Sequence, residues 1–115
     1  MHPEIESELR ENARIYLAEE VQNRGLRCRA CEAGIISFDD LYFLGTLNSA
    51  EKLNLDTIAE TDSNRKEKPN DLIKKVEKKT LSLVAELYNV SSESVERRYW
   101  ELQAKTIEYF KKLCK

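Results

Sequence analysis

Glycine and proline are scarce in this chain. Its 115 residues hold three Gly, at 25, 34 and 45, and two Pro, at 3 and 69. A β-sandwich or barrel needs a turn signal about every 8–12 residues, and these punctuators cannot supply them. The three glycines also never form GxGxxG or GxxxxGK, which removes the dinucleotide-binding turn and the P-loop. No apolar run approaches the ~18 residues of a membrane span. What remains is an all-α chain: a compact bundle of four to six helices in one domain, residues 1–115. With 41% hydrophobic residues, and at this length, roughly two thirds of the unfolded surface can be buried.

Helical periodicity supplies the segments. Pro3 suits the first helical position, and Glu4, Glu6 and Glu8 suit the positive end of the helix dipole. Ile5, Leu9, Ala13, Leu17 and Val21, with Tyr16 alongside, form one apolar stripe, predicting a helix over 3–24 that Gly25 caps in the left-handed conformation. Residues 26–36 read as a connector. Ser37-Phe38-Asp39-Asp40 has the S-x-x-D form of a capping box, so a second helix begins near Phe38 with Phe38, Leu41, Tyr42 and Leu44 as its apolar face. Gly45 either ends that helix or sits inside one that continues to Leu53. Ser49 and Asp56 are further cap candidates, so one or two short helices fit into 46–61. Residues 62–70 contain no apolar side chain and read as a linker. A third helix is expected over 71–88, burying Leu72, Ile73, Val76, Leu83, Val84 and Leu87 and exposing Lys74, Lys75, Lys78 and Lys79. Asn89 ends it, and Ser91 or Ser92 caps a fourth helix that reaches Leu113.

Charge is unevenly divided. Residues 1–63 carry 13 acidic and 6 basic residues; residues 64–115 carry 8 acidic and 13 basic. Such an asymmetry fits either an acidic half joined to a basic binding half or an ordinary solvated helical surface.

Residues 81–102 have the spacing of a helix-turn-helix. A small residue, Ala85, stands where the helices touch. Asn89 follows four positions later, where positive φ is needed. Val90 leads into the core, Ser91 caps the next helix, and Val95 anchors it inward. Within that class, Val84-Ala85, Asn89 and Val95-Glu96-Arg97 resemble the effector domain of the sporulation response regulators. The resemblance covers about 20 residues. It implies that Glu96 and Arg97 reach base edges, a role their chemistry suits, since Arg pairs bidentately with guanine and Glu accepts from cytosine N4. The chain departs from that family in four respects, one being that the helix before the turn runs unbroken from about Asp71 where the family breaks it into two. Trp100 stands where a further Arg is expected, and Arg98 stands at a normally small or apolar inward position. Residues 1–63 also lack the βα alternation and acidic pocket of a receiver domain.

One function follows from this segment: a small helix-turn-helix DNA-binding protein, a transcriptional regulator. Ser92, Glu93, Glu96 and Arg97 would enter the major groove, while Lys74, Lys75, Lys78, Lys79 and Arg98 lie near phosphates. Glu93, Glu96 and Glu101 oppose it by repulsion. The competing reading is a Ser-capped hairpin that merely packs a bundle. If Glu93 and Glu96 share a surface with Arg97 and no Lys lies close by, DNA binding loses support.

The last helix carries two apolar rows. Val95, Tyr99, Leu102, Thr106, Tyr109 and Leu113 step by 4, 3, 4, 3 and 4, a heptad spacing. Trp100, Ile107 and Cys114, with Phe110 beside them, lie on a neighbouring face. Either both rows are core, or Trp100, Ile107 and Phe110 meet a partner, a protein or a second copy in a homodimer. This second possibility defines the alternative function, a helical protein-interaction module that does not touch DNA.

Catalysis lacks its parts. The one histidine is His2, and no E-x-x-H motif exists. Cys28-Arg29-Ala30-Cys31 is a lone C-x-x-C without a second ligand pair, so neither zinc nor any other cofactor is expected. Arg24, Arg27 and Arg29 could lower those thiol pKa values; the alternative is that both cysteines pack as small hydrophobes. Three cysteines cannot complete a disulfide framework, and Met1-His2-Pro3-Glu4 does not open like a signal peptide, so a reduced cytoplasmic setting is expected.

Overall fold

The computed structural model describes residues 1–61 and 69–114. Among them are five helices and no strand: α1 (Pro3–Gln22), α2 (Leu26–Glu32), α3 (Phe38–Thr61), α4 (Pro69–Tyr88) and α5 (Ser92–Leu113). The linker expected over 62–70 lies outside the described residues up to position 68. Pro69 and Asn70 belong instead to the first turn of α4, where a proline loses no helical hydrogen bond.

The bundle is organised around α3. It packs against α1 on one side and α4 on another and also touches α2, while α5 lies across α4 and α2. Leu41, Phe43, Leu44, Gly45, Thr46, Leu47, Ser49 and Ala50 are all buried, and they lie all around the helix. A helix enclosed on every side needs no polar face, so amphipathic periodicity disappears. Residues 38–61 form one continuous helix, with no end at Gly45 and no division into short helices over 46–61. Gly45 belongs to its interior. A Cβ there would stand 2.9 Å from Tyr16 Cδ1 and 3.3 Å from the Ala13 carbonyl, so the missing side chain is what lets α1 lie close against α3. The Thr46 hydroxyl satisfies itself by donating to the Tyr42 carbonyl at 3.0 Å.

Side chains from all five helices complete the core: Leu9 and Leu17 from α1, Ala30 from α2, the α3 set, Val84 and Ala85 from α4, and Val95 and Leu102 from α5. Ile5 and Val21, at the two ends of the α1 stripe, are exposed, as is Ile73 of α4. Leu72, Leu83 and Leu87 are half-buried.

Three helices end in the same hydrogen-bonded cap, in which one residue takes positive φ and the next N–H reaches back five residues. At the end of α1 the left-handed residue is Arg24 (φ 49°), not Gly25, and the Gly25 N–H donates to the Glu20 carbonyl at 3.0 Å. Gly25 therefore serves as the N-cap of α2, and the expected connector 26–36 contains a seven-residue helix. At the end of α2 Gly34 (φ 78°) takes this role, with Ile35 N–H donating to Ala30 O at 2.9 Å. At the end of α4 it is Asn89 (φ 55°), with Val90 N–H donating to Ala85 O at 3.0 Å.

The expected capping box is present. Asp40 N–H donates to Ser37 Oγ and Ser37 N–H to Asp40 Oδ2, both at 3.0 Å. The apolar face expected for this helix needs correction, because Phe38 is 61% exposed and Phe43 fills the core in its place. Phe38 occupies the first turn of α3.

Candidate interaction surface on the last helix

The α4–α5 connection builds the candidate site. Asn89 turns the chain. Ser91 Oγ accepts from Ser94 N–H at 3.1 Å and opens α5. Ala85 and Val95 are buried where the two helices meet. Val90 departs from expectation: it is 49% exposed instead of leading into the core. Its N–H is tied back to Ala85 O at the end of α4.

Beyond the turn, Glu93, Glu96 and Arg97 are exposed together on the first turns of α5, while Ser92 is half-buried. Lys74, Lys78 and Lys79 are exposed and Lys75 half-buried on α4. Lys79 lies ten residues before Asn89, about 15 Å along the helix, and Lys74 about 22 Å. Lys75, Lys78 and Lys79 line an open groove with Asn54, Ser82, Leu83 and Glu86.

Arg98 turns inward. Its Nη2 donates to Asp40 Oδ1 at 2.9 Å, and its guanidinium lies 4.2 Å over the centre of the Phe43 ring. Burial alone would raise the Asp40 carboxyl pKa, but the Ser37 N–H, the Arg98 guanidinium and the Ser37 hydroxyl together hold it below its ordinary value. A second arginine also ties α5 in place, a role its sequence position did not suggest. Arg27 of α2 donates to Tyr16 Oη and to Gln103 Oε1, both at 2.9 Å, linking α1, α2 and α5.

The two apolar rows of α5 separate. Val95, Leu102 and Thr106 are buried, Tyr99 and Tyr109 half-buried, and Leu113 exposed at the end. Trp100 is 61% exposed, Ile107 50% and Phe110 48%. The Trp100 ring lies edge to face against its neighbour Tyr99 at 5.2 Å. The second row therefore lies on the surface of this chain and is not part of its core.

Cys28 is buried, and its thiol pKa is raised by burial first and then by the nearby Glu32 carboxylate. Two of the three arginines expected to lower it are engaged elsewhere: Arg24 with Glu32 at 3.4 Å and Arg27 with Tyr16 and Gln103. Among the described residues no three His, Cys, Asp or Glu side chains gather to hold a metal ion. His2 serves as a helix cap, with Nδ1 accepting from Glu4 N–H at 3.2 Å. No described helix is long and apolar enough to cross a membrane.

No family model, curated protein or solved structure matches this chain.

Proposed function

We propose that the protein is a helical protein-interaction module and that the Trp100, Ile107 and Phe110 face of α5 is its docking surface. The observation that carries this reading is the exposure of three large apolar side chains in a row on one helix whose opposite face is already in the core. An aromatic anchor such as Trp100 flanked by aliphatic contacts is the composition of an interaction hot spot, and an amphipathic partner helix is the form that fits such a row. The charges at the start of α5 point the same way. Glu93 and Glu96 share their surface with one cation, Arg97. A phosphate backbone would meet net negative charge there.

The test is site-directed photo-crosslinking in the native cell. A photoreactive residue replacing Ile107 is expected to give a discrete crosslinked protein. The same residue replacing Lys105, on the solvent side of the helix, should give none. Equal labelling from both positions removes the docking surface.

A second reading, DNA binding by a helix-turn-helix, is favoured by the positive φ of Asn89, the Ser91 cap and the buried Ala85–Val95 contact. It is tested by fluorescence anisotropy of a labelled random duplex at low and moderate salt. Steeply salt-dependent binding that Arg97→Ala weakens supports it. Absence of binding at low salt removes it.

A further inference from the structure

The charges around the same face identify a partner. In heptad register the row reads Glu93, Glu96, Trp100, Gln103, Ile107, Phe110 and Cys114. Its N-terminal end holds two exposed carboxylates, of which Arg97 offsets one. Its middle holds Trp100, Ile107 and Phe110 around Gln103, which accepts from Arg27 of α2, and its C-terminal end holds Lys111 beside Phe110, with Glu108 one turn before it. A surface that is acidic at one end and basic at the other complements itself in one orientation only. A two-fold axis across the middle of α5 lays Glu96 of one copy near Lys111 of the other and Trp100 against the Ile107–Phe110 end. Parallel pairing would instead set Glu against Glu and Lys against Lys. The antiparallel arrangement also opposes the two helix dipoles. Ala104, small and exposed, stands near the middle, where two helices approach each other most closely.

Resting on the docking surface proposed above, we infer that its occupant is a second copy of this chain, bound antiparallel through α5 in a closed two-fold dimer. Each copy buries the other's Trp100.

The experiment is sedimentation equilibrium of the full chain together with disulfide trapping. The wild type is expected at twice the monomer mass at roughly 100 µM, dissociating on dilution. Trp100→Ser should weaken association at least about tenfold, and at protein concentrations low enough that both are monomers it should melt with the wild type, since Trp100 lies outside the core. Glu96→Lys and Lys111→Glu should each weaken it by roughly three- to tenfold, and the double variant should recover it. Ala104→Cys with Cys114→Ser should form a linked dimer on mild oxidation, whereas wild-type Cys114, held at opposite ends of the pair, should not. A Cys114-linked dimer, or a charge swap that fails to recover association, overturns the antiparallel pairing. A monomer at roughly 100 µM overturns self-association. In that case a heterologous photo-crosslink from Ile107 leaves the docking surface standing, and no product of either kind removes both.

Discussion

Arg98 and Asp40, 58 residues apart in sequence, meet at 2.9 Å and fasten the start of α5 to the start of α3. The contact is built from three parts. The capping box fixes Asp40, Asp40 fixes the guanidinium, and the guanidinium covers the Phe43 ring at 4.2 Å. A charge-assisted hydrogen bond combined with a cation–π contact at a half-buried site makes Arg98 a stability residue. Arg98→Ala is expected to cost about 2 kcal/mol in urea denaturation. In a double-mutant cycle with Asp40→Ala, part of that loss should appear as a coupling of about 1 kcal/mol. A coupling near zero would show that the pair is no more than a surface contact.

The lowered Asp40 pKa gives a pH dependence with a definite sign. A carboxylate whose folded value lies below its unfolded value stabilises the fold above the unfolded value and loses that contribution as pH falls through the folded one. The ordinary value here is 3.8, so the contribution is complete near neutral pH and decays at pH values below that figure. Asp40→Asn should therefore be less stable than wild type at neutral pH, and the gap should close on acidification below about pH 4. Denaturation curves at the two pH values check this; a gap that widens on acidification contradicts it.

The features that could be read from the sequence are those set by neighbours along the chain. The Ser37–Asp40 box, the Ser91 cap and the left-handed Asn89 were legible because caps are local. The first row of α5 was legible because it alternates buried and solvated positions at heptad spacing. Two kinds of feature were not legible. Residues 41–50 of the central helix α3 are buried on nearly every side, so no amphipathic period marked the helix there, and Phe38 could not be told from Phe43. The fate of charged side chains was hidden as well: Arg98 and Arg27 find partners 58 and 76 residues away. The exposure of Trp100, Ile107 and Phe110 was one of two readings that heptad spacing left open, and packing decided between them.

The cap at the end of α1 contains a removable strain. Arg24 holds φ at 49°, a region that costs a residue with a Cβ roughly 1 kcal/mol and glycine almost nothing. Its exposed pair with Glu32 at 3.4 Å offsets little of that cost. Arg24→Gly should raise stability by about 0.5–1 kcal/mol, read as a higher denaturation midpoint at unchanged slope. A lower midpoint would mean that the Glu32 contact outweighs the strain.

Gly45 makes the opposite prediction to the helix scale. In an ordinary helix interior Gly→Ala stabilises by about 1 kcal/mol. At position 45 the new methyl would press on Tyr16 Cδ1 and the Ala13 carbonyl. The carbonyl belongs to the α1 backbone and cannot rotate away, so α1 must shift off α3. Overpacking of this kind costs about 1–3 kcal/mol, which exceeds the propensity gain. Gly45→Ala is expected to be net destabilising by about 1–2 kcal/mol, and a gain in melting temperature would show that α1 yields freely.

Phe38 and Phe43 sit five residues apart on the same helix and separate local hydrophobicity from burial. Phe43 is almost wholly enclosed; Tyr88 lies edge-on to its ring at 5.7 Å and Arg98 covers its face. Removing it leaves a cavity and also strips the guanidinium of its platform. Phe43→Ala should cost about 3–5 kcal/mol. Phe38 spends most of its surface in water, and Phe38→Ala should cost less than about 0.5 kcal/mol. The Ser37–Asp40 box tightens this comparison, because it fixes the start of α3 through hydrogen bonds that neither substitution touches. The difference in cost therefore reports enclosure and not helix initiation. Equal costs for the two substitutions would place Phe38 in a contact outside this chain, and chemical denaturation at two protein concentrations would expose that contact as a concentration-dependent midpoint.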